Sequence, residues 1–101
     1  MVRHLVMWKL LPSAEGNQSH QNAAIIREKL LSLKDKIDVI RDIKVNLALE
    51  GCPFSNFDLL LEVLFDDYKG LETYQQHPEH LAVGGFVRKV TESRACVDYE
   101  I

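Results

Sequence analysis

With 101 residues, 47% of them hydrophobic and 27% charged, the chain has room for one domain over residues 1–101 with one core, and its composition is that of neither a disordered nor a membrane protein. A formal net charge of −3, with Lys and Arg scattered along the chain, gives no electrostatic footprint for nucleic acid, so no such partner is expected. Apolar runs such as Leu59-Leu60-Leu61 are far too short to span a bilayer, which leaves no membrane role.

The first nine residues, Met1 to Lys9, make a poor secretory signal, and a cytoplasmic location is the expectation. Cys52 and Cys96 are then expected to be reduced thiols, and they lack metal-site spacing. Val2, His4, Val6, Trp8 and Leu10 alternate with Arg3, Leu5, Met7 and Lys9, and both sets are substantially apolar. That pattern predicts a first strand covered on two faces, with something beyond the chain's own helices covering one of them.

Leu11-Pro12-Ser13 ends the strand, and Ser13 or Asn17 is the expected cap of a helix over Ser19 to Ile37. Ala23, Ile26, Leu30, Leu33 and Ile37 form its apolar stripe. Ile43, Val45, Leu47 and Leu49 alternate with polar partners in a half-buried second strand. Gly51 to Asn56 reads as a connection, and Phe57, Leu59, Leu61, Val63 and Phe65 form the apolar face of a third strand.

Asp66 or Asp67 can cap the helix that contains Leu71 and Tyr74, and Pro78 suits the first turn of the next, through Leu81, Val83, Val87 and Val90. Gly84-Gly85 would permit a bend or a close approach there. Ala95, Val97, Tyr99 and Ile101 alternate with Arg94, Cys96, Asp98 and Glu100 in a last strand. The order β-α-β-β-α-β predicts an α+β, ferredoxin-like domain: a four-stranded antiparallel sheet with its helices on one face. The bare face, with the doubly apolar first strand, predicts a homodimer packed sheet to sheet.

The densest chemistry lies at Tyr74-Gln75-Gln76-His77-Pro78-Glu79-His80. Tyr74 and His77 are three apart on one helix, Pro78 breaks that helix, and His80 is turned relative to Tyr74 on the next. This segment, with His4 and Trp8-Lys9-Leu10, Asp58 and Asp66, and Val97-Asp98-Tyr99, resembles the stress-responsive dimeric α/β-barrel (Dabb) family over nearly the whole chain. The Tyr-x-x-His-Pro-x-His core is its most specific part.

The resemblance implies a dimeric α/β barrel and, through the plant olivetolic acid cyclase branch, matches Tyr74 and His80 to a catalytic pair that closes a ring by aldol chemistry without cofactor. It matches His4 to a histidine lining the pocket and His77 to a motif position without a catalytic role. His4, Trp8 and His77 are the substrate-contacting candidates, with core or interface packing the alternative for Trp8.

In chemical terms, a histidine near neutrality can take a proton from a carbon acid, and a phenol can hold the enolate oxygen that forms. The alternative is that Tyr74, His77 and His80 tie the helix corner to the sheet through buried hydrogen bonds. His77, His80 and His4 could supply three metal ligands, but Pro78 disrupts the helix such spacing needs, so no metal is expected, and the chemistry the resemblance implies uses no cofactor. Three readings stay open: a small organic molecule bound in an apolar pocket, a cofactor-free cyclase or lyase, and a structural stress protein without a ligand.

Overall fold

In the computed structural model, which covers residues 1–101, the period-two pattern of the first segment becomes strand β1, Val2–Leu10. Val2, His4, Val6, Trp8 and Leu10 are buried on one face, while Leu5 is half-buried and Met7 exposed on the other. A two-residue hairpin follows, β2 (Ser13–Ala14) and β3 (Asn17–Gln18). The sequence reading missed this hairpin. Its turn holds Glu15 and Gly16 at φ of 51° and 78°, the left-handed region that glycine enters without steric cost.

Helix α1 spans Ser19–Leu31 and tightens into a 3-10 turn over Ser32–Asp35. Neither Ser13 nor Asn17 caps it. Both belong to the hairpin, and Gln18 takes the cap position, its N–H donating to the Gln21 side chain at 2.8 Å. Buried Asn22 fastens the helix to the hairpin by donating to the Ala14 carbonyl at 3.0 Å. The stripe from Ala23 to Ile37 is buried throughout, each Ile or Leu in it contributing about 1.5–3 kcal/mol.

Strand β4 spans Asp42–Leu47 and β5 spans Leu59–Phe65. The alternation expected through Leu49 stops at Leu47, and Leu49 is exposed in the connection. Asp67 caps α2 (Tyr68–Gln76) by accepting from the Gly70 N–H at 2.9 Å. Asp66 instead holds Arg41 through two bonds of 2.9 and 2.7 Å. Helix α3 runs unbroken over Pro78–Val90, glycines included, and β6 closes the chain at Thr91–Glu100.

The sheet has the order β4-β5-β1-β6, antiparallel throughout, the ferredoxin-like arrangement expected from the element order. Residues directly opposite in an antiparallel pair share a face, so the register defines rows across the sheet. On the helix-covered face these are Val63–His4–Asp98, Leu61–Val6–Cys96 and Leu59–Trp8–Arg94. On the open face they are Leu64–Arg3–Tyr99, Glu62–Leu5–Val97 and Leu60–Met7–Ala95. The last strand therefore turns its apolar set outward and its polar set toward the helices.

Candidate functional site

The helices do not extend over β6, whose Arg94, Cys96 and Asp98 are exposed although they share the covered face with His4, Val6 and Trp8. A cleft of about 240 Å³ remains between α3 and the sheet. Its apolar wall includes Val6, Trp8, Leu30, Leu61, Val83 and Val87. Its polar groups are His4, His80, Arg88 and Arg94, so every charged or titratable side chain lining it is basic. The α3 contribution falls at His80, Val83, Gly84, Val87 and Arg88, the spacing of one helix face.

The corner at Pro78 explains how His80 is held. Proline lacks an N–H, and the His77 N–H turns back to the Tyr74 carbonyl at 3.2 Å. The Glu79 N–H, the ordinary helical partner of the Gln75 carbonyl, donates to His77 Nδ1 at 3.1 Å. The Gln75 carbonyl is thus left for His80, whose Nδ1 lies 3.1 Å away. A carbonyl only accepts, so Nδ1 carries the proton and Nε2 keeps the lone pair. Burial lowers the His80 pKa below its ordinary 6.5, the hydrogen bond to the Gln75 carbonyl opposes it in part, and the charges of Arg94 and Arg88 add to the lowering, so the neutral ring predominates at pH 7.

Tyr74 is fully buried, with its ring centroid 4.4 Å from that of His80, 5.9 Å from that of His4 and 5.2 Å from that of Phe65. Its hydroxyl has no hydrogen-bond partner, and burial pushes its pKa well up, which keeps it protonated as a donor. A buried donor left unpaired costs about 1–3 kcal/mol and calls for an explanation. The expectation that Tyr74 ties the corner down by a buried hydrogen bond has no acceptor to support it.

His4, also buried, sits 2.5 Å from the Asp98 carboxylate through Nδ1. That contact fixes the ring and leaves Nε2 uncommitted. Cys96 Sγ lies 3.8 Å from His4 Nδ1 and 4.0 Å from Asp98 Oδ1. Burial and the Asp98 charge raise the thiol's pKa, so it is no activated nucleophile. The three donor atoms lie within 4.8 Å of one another, as metal ligands do, but His4 and Asp98 already satisfy each other and the positive charge of Arg94 acts on the same group.

Of the residues singled out from sequence, His4, Trp8 and His80 line the cleft and Tyr74 stands behind them, ring against ring. His77 does not line it, because its ring is spent on capping α3. His77 and His80 do not converge with His4 on one point: the group of metal-type donor atoms that comes together is His4, Cys96 and Asp98. Sequence reading assigned no role to Asp98, Arg88 or Arg94. Asp98 had one signal, its place in Val97-Asp98-Tyr99, but its pairing with His4 spans 94 residues. Asp58 and Asp66 prove structural: Asp58 accepts from the Leu10 N–H at 2.7 Å, and Asp66 holds Arg41.

No curated protein matches the chain in sequence. Among solved structures, a dimeric protein of unknown function with a ferredoxin-like fold from Bacteroides fragilis is 34% identical, with a TM-score of 0.84 over 99% of this chain and 95% of that one. A hydroxynitrile lyase from Passiflora edulis is 16% identical, with a TM-score of 0.79 over 99% and 92%. A Dabb family protein from Mesorhizobium loti is 22% identical, with a TM-score of 0.70 over 99% and 95%. The last two likenesses show the fold alone. The stress responsive A/B barrel domain profile, however, matches residues 2–101, and the chain belongs to that family.

Proposed function

We propose that the protein binds a small organic molecule in the cleft between α3 and the sheet. The observation that carries this reading is the cleft itself: an apolar wall interrupted by a few convergent polar groups, two of them held histidines, which is the usual make-up of a ligand site. Native mass spectrometry of freshly purified protein should show a bound small molecule, and Val83→Trp, which fills the cleft, should abolish it. A protein that carries nothing and melts identically with and without a panel of apolar ligands would leave the structural stress protein as the reading.

A second reading, proton transfer at a carbon acid, is favoured by the unpartnered Tyr74 hydroxyl beside a neutral His80. His80 Nε2 would take the proton alpha to a carbonyl, and the Tyr74 O–H, which does not itself line the cleft, would donate to the enolate oxygen once a ring covering it turns aside. The carbanion equivalent would then attack a second carbonyl of the same molecule, and the imidazolium would return the proton to the new alkoxide. No metal or oxidant is needed for that balance.

The working unit in both readings is a homodimer. The open face carries Met7, Val97 and Tyr99, which a second copy's open face would cover, and the Bacteroides relative is dimeric. A broader groove of about 400 Å³ lies on this face, lined by Met7, Leu47, Phe54 and Leu60. It contains none of the histidines and belongs to the surface for the partner.

A further inference from the structure

A chain with three more acidic than basic charges has a cleft lined by two arginines, two histidines and no carboxylate. Arg88 and Arg94 approach it from opposite walls, one on α3 and one on the edge strand β6. Neither forms an ion pair, a condition they share with Arg3, Arg27, Lys29, Lys34 and Lys69, and what sets them apart is that both line the cleft. Asp98, on the same face of β6, is engaged with His4. The glycine one turn before Arg88 adds to the picture. A Cβ at Gly84 would stand 3.3 Å from Arg88 Nη1, so the guanidinium lies back over α3 across the space a side chain there would take.

We infer that the molecule taken into the cleft is an organic carboxylate, its apolar body against Trp8, Val83 and Val87 and its anionic end held by Arg88 and Arg94. The inference rests on the cleft being a ligand site and adds the class of ligand. Guanidinium groups pair with carboxylates through planar, charge-assisted hydrogen bonds, and an apolar wall strengthens such bonds by excluding water. Two unpaired cations facing one cavity repel each other until an anion is bound, so an uncharged ligand of the same shape leaves that repulsion in place.

Octanoate and its uncharged isostere octanamide separate the possibilities, with binding followed by calorimetry at pH 8, where His80 is neutral. Octanoate should bind about tenfold more tightly than octanamide, and that margin should shrink as salt is added. In Arg88→Met/Arg94→Met the margin should vanish while octanamide binding is retained, and Arg94→Glu alone should disfavour octanoate. Equal affinities in the unmodified protein would overturn the carboxylate inference and leave the ligand cleft standing. A margin that survives in the double variant would overturn the assignment to these arginines. If neither compound binds at millimolar concentration, the inference and the ligand reading fall together.

Discussion

The two faces of β1 differ in who covers them. Val6 and Met7 are neighbours in sequence, yet Val6 is 1% exposed under the helices and Met7 is 37% exposed on the open face. The face under the helices carries fixed polar arrangements, His4 with Asp98 and His80 with the Gln75 carbonyl. The open face mixes apolar Leu5, Met7, Val97 and Tyr99 with Arg3 and Glu62. One strand thus divides by residue parity: even positions build the core and wall the cleft, and odd positions are left uncovered by the chain's own helices.

Val6→Asp and Met7→Asp should separate these roles most sharply. An aspartate at position 6 buries an unpaired charge at a cost of several kcal/mol, against a margin of about 5–15 kcal/mol for a whole domain. Circular dichroism should show it largely unfolded. Met7→Asp should keep the fold and lose the dimer, giving a monomer by sedimentation at micromolar concentration. A Met7→Asp protein that stays dimeric would break the comparison.

Within the covered face, Tyr74→Phe tests whether the polar groups serve stability or ligand. The hydroxyl has no partner to lose, so its removal should leave the melting temperature unchanged or stabilise the protein by about 1 kcal/mol. Any turnover or ligand affinity that depends on the donor should fall at the same time. A clear loss of stability would mean that the hydroxyl has an acceptor in solution.

The smallest expected effect is on pH. The folded protein holds His80 below the value of 6.5 it has in the unfolded chain, mainly through burial. Between the two values the unfolded chain binds more protons, so stability is full above about pH 6.5 and declines as pH falls through that window. His80→Gln should flatten this decline in urea melts taken from pH 8 to pH 5. An unchanged slope would show that His80 is not the group responsible.

Much of the fold was legible in the sequence because its signals are local. Period-two alternation marks the strands and spacings of three and four mark α1, while Pro78 marks the corner where α2 hands over to α3. Each depends on residues within a few positions of one another. The hairpin at Glu15-Gly16 was missed because two-residue strands carry no periodicity to read. The core of the site was legible to the same degree: His80 and Tyr74 lie six residues apart, and a broken helix between them keeps them close.

What sequence by itself determined is therefore the set of elements, their order and the residues able to do chemistry at the corner. Tertiary structure alone decided that the polar side of β6 faces the cleft, that Asp98 meets His4 and that Arg94 stands across from Arg88. Sequence spacing cannot supply this, because a slip of one residue between β1 and β6 would send Arg94, Cys96 and Asp98 to the open face and leave each strand's own alternation unchanged. The register is fixed by pairing along the whole length of both strands. The charge of the cleft therefore follows from how two distant segments align.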